Sequence, residues 1–312
     1  MFGSDAWLVL GALAFEACVG YPSWLYARIR HPVVWIGTLI AALERLWNDA
    51  RFGAVRRRLL GVAAMIVIIA CAGGVGFAIE RSAIAYLDAA VVIVIASTGI
   101  AQRSLYVHVR DVLAALESRD LPMARTSVAR IVGRDTAQLS DDEVAAAALE
   151  SLAESFNDAV VAPVFWLLIG GLPGLFAYKA VNTADSMIGH MEERWRMFGW
   201  AAARLDDLMN LVPARIAGLL LATAALRGFG VMLRDASKHA SPNAGWPEAA
   251  LAGGLAIRLG GTAVYDGVAY ERGVFGDGAR PTTTDLRKGL HIYMRGCALL
   301  WVVIGTIALS SS

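Results

Sequence analysis

Residues 147–171, AALESLAESFNDAVVAPVFWLLIGG, hold two opposed tendencies in one segment. The first half spaces Glu150, Glu154 and Asp158 four residues apart, the interval that puts side chains on one helix face. The second half is an apolar run of the kind that leaves water. A charged helix therefore feeds directly into a membrane-like segment, and the reading of that junction decides the fold. Pro163 stands near the start of the run, and Gly170, Gly171, Pro173 and Gly174 interrupt it after about eleven residues, a length that suits a re-entrant or interfacial piece better than a full span. Broken helices are tolerated at membrane depth where they line a protein-buried or watery cavity. The sequence predicts a helical hairpin over residues 159–181 that dips in and returns to the same side.

The rest of the chain supports an all-α, polytopic helical membrane protein with re-entrant or broken helices. Of its 312 residues, 57% are apolar and 18% charged, with a mean hydropathy of +0.55, too greasy for an ordinary soluble domain. A spanning helix needs about 20 mostly apolar residues. Residues 6–27, 59–79, 83–101 and 293–309 come close to that, and 213–233 is a possible extra span. Residues 28–58 carry seven arginines against Glu44 and Asp49, which predicts a cytoplasmic loop and an outside N-terminus. Glu80 and Arg81 read as a tight turn between the second and third spans. Residues 102–158 read as a cytoplasmic helical segment, with Ser140 and Glu143 forming a capping box. Residues 272–288 read as a polar, glycine-rich loop. The first apolar run lacks the basic leader of a cleaved signal and is expected to be retained. Cys18, Cys71 and Cys297 lie in apolar runs without ligand spacing and read as small hydrophobes. A net charge of +1, with no aromatic-basic interleaving, argues against nucleic acid as a partner.

The chemistry is carried by polar residues at the edges of apolar segments. Carboxylates at i, i+4 and i+8 repel, and no lysine or arginine lies between residues 136 and 178. Asp141, Asp142 and Glu143 fit a solvated helix start, whereas Glu150, Glu154 and Asp158 call for a divalent cation or a distant base. Beyond the hairpin, YKAVNTADSMIGH supplies Lys179, Asn182, Thr183, Asp185, Ser186 and His190. Lys179 stands where an apolar segment returns to water and reads either as a snorkelling anchor or as a functional cation. Asn182 and Asp185 offer hard oxygens suited to Mg²⁺ with phosphate, and more so if they face Glu154 and Asp158. ARLDDLMNLVPAR adds Arg204, Asp206, Asp207, Asn210 and Arg215, placed either for local ion pairs or for an anionic ligand. HASPNAGWPEA adds Ser241, Asn243 and Glu248 in a constrained loop. His31 precedes a proline, and GRDT adds Arg134 and Asp135. The chain has no Walker loop, GxGxxG or GxSxG motif.

In this order, HPVVWIG, VGRDT, ESLAESFNDAVVAPVFW, GGLPGLFAYKAVNTADSMIGH, FGWAAARLDDLMNLVPAR and SPNAGWPEAALAGGLAIRLGG resemble the CobD/CbiB family of adenosylcobinamide-phosphate synthases, over most of residues 16–262. Many members carry a GDP near the start, where this chain has Gly20, Tyr21 and Pro22. The block often read as ENxxD stands here as Glu154, Ser155, Phe156, Asn157 and Asp158, which keeps the carboxylates and shifts the amide. The resemblance implies a cytoplasmic (inner) membrane enzyme with its active site facing the cytoplasm. It would use ATP and Mg²⁺ to join aminopropanol or its phosphate to a propionate of (adenosyl)cobyric acid, the corrinoid being substrate. A carboxylate must first become an acyl phosphate or adenylate, whose growing charge needs metal and cations. Glu154, Asp158 and Asp185 would hold Mg²⁺, and Lys179, Arg204 and Arg215 would bind phosphates. His190 or a carboxylate not on the metal would deprotonate the amine. Trp35, Trp166 and Trp246 would suit the walls of a corrinoid cavity. Other enzymes of the corrinoid pathway are possible partners.

Three other readings compete. NTAD and DDLMN also suit the acidic Mg²⁺-diphosphate motifs of an intramembrane prenyltransferase. Broken helices suit a cation-coupled transporter, although Glu16 and Asp88 are the only acids within the expected spans. A scaffold for corrinoid enzymes is the third.

Overall fold

The computed structural model describes residues 6–21, 31–86, 89–265 and 267–311. Residues 22–27 of the first expected span, Arg28 and Arg30 of the basic loop, and Asp88 lie outside the described residues. The chain is a polytopic helical membrane protein: the stretches Ala54–Ser82, Ala89–Glu117, Asp141–Ile188, Trp200–Ala225 and Thr283–Ser310 are long and apolar enough to cross a bilayer, and Ala6–Val19 is a shorter apolar helix. It divides into two compact units, one of Met1–Ala101, Ala162–Asn210 and Ile304–Ser312, the other of Gln102–Val161 and Leu211–Val303.

In the first unit, the long helix Ala54–Tyr86 packs along the segment Ala162–Ile188, and helix Pro32–Trp47 lies against both. The core between them is Ile40, Leu43, Met65, Ile68, Val181 and Phe198. Burying such side chains stabilises by about 1.5–3 kcal/mol each. The segment Ala162–Ile188 is not one rod. Its backbone leaves the helical region at Gly171 (φ 60°, ψ −154°), a conformation open to glycine, and turns back so tightly that a Cβ at Gly174 would strike the Trp166 carbonyl. Gly76 of the neighbouring helix meets the backbone of Leu172 and Pro173 with no room for a Cβ. Reversal frees backbone donors, and the Glu80 carboxylate accepts the Leu172 N–H at 2.7 Å. This corrects the expected turn at Glu80 and Arg81: helix runs through both residues to Tyr86, because Glu80 is taken up in satisfying the neighbouring reversal.

The second unit is built on helix Asp141–Phe156. Its capping box is present, with the Ser140 N–H donating to Glu143 Oε2 at 2.9 Å, a feature worth about 1 kcal/mol. Leu149, Leu152 and Phe156 are buried. The Phe156 ring meets Tyr293 edge-on at 5.5 Å, and the Tyr293 hydroxyl donates to the Gln102 carbonyl at 2.7 Å. The helix continues into a wide π turn over Asn157–Val161. The possible span 213–233 is not one helix. Trp200–Ala225 ends at Leu226 and Gly228, both at positive φ (57° and 102°), before a short helix Phe229–Asp235. A Cβ at Gly228 would strike Ala250 O and Gly254 N, so the break is fixed by close packing on helix Gly245–Leu255. Residues 259–275, running into the start of the polar loop, hold two short antiparallel ladders that the sequence did not signal: Leu259–Gly260 with Val274–Phe275, and Ala263–Tyr265 with Val268–Tyr270.

Candidate functional site

Each unit gathers its own polar cluster. In the second unit the centre is Glu150, whose side chain is 8% exposed. It accepts the Gly260 N–H at 2.8 Å and Arg272 Nη2 at 2.5 Å, and forms an ion pair with Arg134 Nη1 at 3.2 Å. Two guanidinium groups on one carboxylate leave a surplus of positive charge, and a further acid lies close by. Glu248 is buried, with Oε1 at 3.6 Å from His239 Nε2 and Oε2 without a hydrogen-bond partner among the described residues. Burial, reinforced by the charges of Glu150 and Glu154, pushes the Glu248 carboxyl well above the usual carboxylate range. His239 Nδ1 accepts the Ser241 N–H at 2.9 Å, so a neutral ring carries its proton on Nε2, toward Glu248. Burial and then the Arg272 charge hold that imidazole below its ordinary value.

The acids expected on one helix face do not share an environment. Glu150 is buried, Glu154 exposed and Asp158 half-buried. Eight residues of α-helix drift by about 80°, and Asp158 lies in the π turn, where it accepts the Asn157 amide at 2.7 Å. Asp142 and Glu143 reach Arg280 at 3.1 and 3.5 Å. The cations missing from residues 136–178 are thus Arg134, Arg272 and Arg280. Asp135 is exposed and accepts the Gly267 N–H at 2.9 Å, which ties down the hairpin beside it. Arg215 donates to the Leu211 carbonyl at 2.5 Å and to Asn243 Oδ1 at 3.5 Å, and lies 4.6 Å over the Trp246 ring. Ser241 Oγ accepts the Asn243 N–H at 3.2 Å.

In the first unit a chain of hydrogen bonds joins the hairpin to the next helix. The Tyr178 hydroxyl donates to Asn210 Oδ1 at 3.1 Å, Asn210 Nδ2 to Asp206 Oδ2 at 3.0 Å, and Asn182 Nδ2 to Asp206 Oδ1 at 3.2 Å. Asp185 has Asp206 and Asp207 as acidic neighbours and His190 and Arg204 as basic ones. Arg204 pairs with Asp207 at 3.0 Å. Lys179 is half-buried and lies close enough to His31 that its charge, after burial, lowers that imidazole's pKa. His31 also caps helix Pro32–Trp47 by accepting the Val33 N–H at 3.3 Å. Thr183 and Ser186 donate to the carbonyls of Lys179 and Asn182 at 2.6 and 2.9 Å, which turns both hydroxyls onto their own helix. His190 is exposed, 3.0 Å from the Ser186 carbonyl. Of the expected cavity walls, Trp35 is exposed, while Trp166 donates to the Met209 carbonyl at 3.1 Å.

Among the described residues no three His, Cys, Asp or Glu side chains converge as a metal site. Magnesium rarely asks for one, since it takes one or two carboxylates and completes its shell with water and phosphate. Asp185 and Asp206 with the Asn182 amide form such a hard-oxygen set. His239 and Arg272 were missed from sequence. The only signal for Arg272 is the charge deficit of residues 136–178, which had to be met from a polar loop.

A model of the family described as CobD/Cbib protein matches residues 9–293. Relatives named Cobalamin biosynthesis protein CobD are similar along nearly their whole length. The one from Rhodobacter capsulatus is 46% identical over 306 residues, 96% of each chain. That from Geobacter metallireducens is 42% identical over 310 residues, 96% of this chain and 95% of the relative. That from Rhizobium meliloti is 38% identical over 311 residues, with the same coverage. No solved structure matches. With the match spanning the helices, the loop ladders and both polar clusters, this chain belongs to the CobD/CbiB family.

Proposed function

We propose that the protein acts in cobalamin biosynthesis as an ATP-dependent ligase, forming an amide between a propionate of (adenosyl)cobyric acid and aminopropanol or its phosphate. The observation that carries the reading is end-to-end similarity to relatives named for cobalamin biosynthesis. The chemistry of the two clusters supports it. Activating a propionate transfers a phosphoryl or adenylyl group, and the chain supplies cations and hard oxygens for that. Lys179 and Arg204 of the first unit and Arg215 of the second would bind phosphate oxygens. Asp185, with Asp206 and Asn182 beside it, would hold Mg²⁺, as would the carboxylates Glu154 and Asp158. When bound, the cation offsets phosphate charge. The activated acyl carbon is then attacked by the amine, which must first shed a proton. His190 and the carboxylates are the candidate acceptors. The membrane is proposed to be the inner membrane, with the site facing the cytoplasm.

The test is a mass-spectrometric assay of detergent-purified protein with cobyric acid, ATP, Mg²⁺ and either amine. Amide product dependent on ATP is the expected result. Binding of a prenyl diphosphate, or cation flux into liposomes without ATP turnover, would replace the reading.

A further inference from the structure

In the first unit, the long helix Ala54–Tyr86 begins with three consecutive arginines, Arg56, Arg57 and Arg58, that are put to two different uses. At 100° per residue Arg57 falls between Ala64 and Ile68 around the axis, and both of those are buried. It is spent on structure. Its Nε donates to Asn48 Oδ1 at 2.8 Å and its Nη2 to the carbonyls of Glu193 and Arg194. The Asn48 amide donates to the same Arg194 carbonyl at 2.9 Å, and Arg194 grips both oxygens of Glu44 at 3.0 and 2.9 Å. The corner between helices Pro32–Trp47 and Ala54–Tyr86 is thereby held rigid.

The other two arginines face outward. Val55, Leu59 and Ile66 are 74%, 64% and 64% exposed, and the helical count places them within about 40° of one another, as one apolar stripe. The same count sets Arg56 and Arg58 about 80° to either side of that stripe. Both are exposed, and neither forms an ion pair among the described residues. Arg56 lies 3.7 Å over the Phe52 ring, and Arg58 lies 5.0 Å over the Trp200 ring with Nη2 donating to Met197 Sδ at 3.8 Å. Aromatic faces steady the guanidinium groups without neutralising them. Asp49 is held by Arg51 at 2.6 Å. Over residues 44–58 and 192–196, seven arginines stand against Glu44, Asp49, Glu192 and Glu193, so positive charge is in excess.

An apolar stripe that starts in the first turn of a spanning helix, with a cation on each flank, puts that turn at the bilayer surface. A soluble anion would answer the arginines and leave the stripe in water. A neutral lipid would cover the stripe and leave the charge. We propose that this corner is a binding site for an anionic phospholipid, its acyl chain along Val55, Leu59 and Ile66 and its phosphodiester reached by Arg56 and Arg58.

The probe is dioctanoyl-phosphatidylglycerol, added to the full chain in a zwitterionic detergent and counted on the protein by native mass spectrometry, with dioctanoyl-phosphatidylcholine as the comparison. The anionic lipid should bind at least about tenfold more tightly, since each arginine near the head group contributes about fivefold. Arg56→Gln with Arg58→Gln should cost the anionic lipid about twentyfold and leave the zwitterionic one unchanged. Arg51→Gln, which removes the same charge from a side chain already paired with Asp49, should change neither lipid by as much as about twofold. Leu59→Ser should weaken both lipids alike, because the chain contact does not depend on the head. Equal affinity for the two lipids in the wild-type chain, a loss from Arg51→Gln as large as that from the pair, or displacement of the anionic lipid by glycerol phosphate would each overturn the proposal. Should the double variant lose its melting transition, the wild-type ratio of the two lipids and the Arg51→Gln and Leu59→Ser variants still decide it.

Discussion

The two polar clusters handle carboxylates in opposite ways. Around Glu150 the second unit uses full charges: two guanidinium groups and a backbone N–H converge on one carboxylate. Around Asp206 the first unit uses neutral amides, Asn182 and Asn210, backed by the Tyr178 hydroxyl. A network of the first kind already sets more than one guanidinium on its carboxylate and leaves little appetite for a further cation. Around Asp206 the partners are dipoles rather than full charges, and Asp185 and Asp207 lie beside it. The contrast supports the proposal that Asp185 and Asp206 take part in the chemistry while Glu150 holds the second unit together.

The sharpest way to break this contrast is to remove the acids assigned to chemistry. Asp185→Ala and Asp158→Ala should each lower amide formation by about a hundredfold to a thousandfold in the mass-spectrometric assay, with expression and melting temperature retained. Wild-type turnover in Asp158→Ala would remove that residue from the site.

Stability should separate the clusters next. Glu150→Gln leaves two guanidinium groups without their counter-charge, and breaking a buried pair costs about 3–5 kcal/mol. Asp206→Asn exchanges one hydrogen-bonding group for another within an amide network and should cost about 1 kcal/mol, while still depressing turnover. Denaturant or thermal unfolding in detergent would show it, and equal losses would erase the distinction.

A smaller effect reads the same contrast through pH. Folding raises the carboxyl pKa of Glu248, so its contribution is complete below the ordinary carboxylate value and is lost as pH climbs through the raised one. For Glu44, burial opposes ionisation but the hydrogen bonds from Arg194 and Asn48 prevail, and its pKa is lowered. Its contribution is present above the ordinary value and is lost as pH falls. Glu248→Gln should therefore flatten the alkaline side of the melting profile and leave the acid side unchanged. Glu80→Ala, read by the same unfolding measurements, strands the Leu172 N–H at the helix reversal and should cost about 1–3 kcal/mol.

How far the sequence could be read depends on how local each signal is. Span hydropathy, the Ser140–Glu143 capping box and the glycines at 170–174 are signals written within a few residues. The fold class and the helix start follow from them. The ends of helices did not, where a distant contact decides. Glu80 resembles a turn residue until Leu172 is beside it, and the break at Leu226 and Gly228 depends on the backbone at Ala250 and Gly254. The site shows the same divide. Glu150 could be singled out by its lack of a local cation, but its partner Arg272 lies 122 residues away, in a loop whose short ladders carry no periodicity to announce them. His239 had no signal at all, since its role follows from the tautomer that the Ser241 N–H imposes.

The wide turn at Asn157–Val161 has a consequence for how the gene can vary. A π turn is an α-helix holding one surplus residue, so the loss of a single codon there can be absorbed by reverting to the ordinary winding. The same loss between Leu149 and Ala153 would rotate each later side chain by about 100° and turn Phe156 away from Tyr293. Single-codon deletions scanned along this helix should thus find one tolerant window for folding, centred on the turn that carries Asn157 and Asp158.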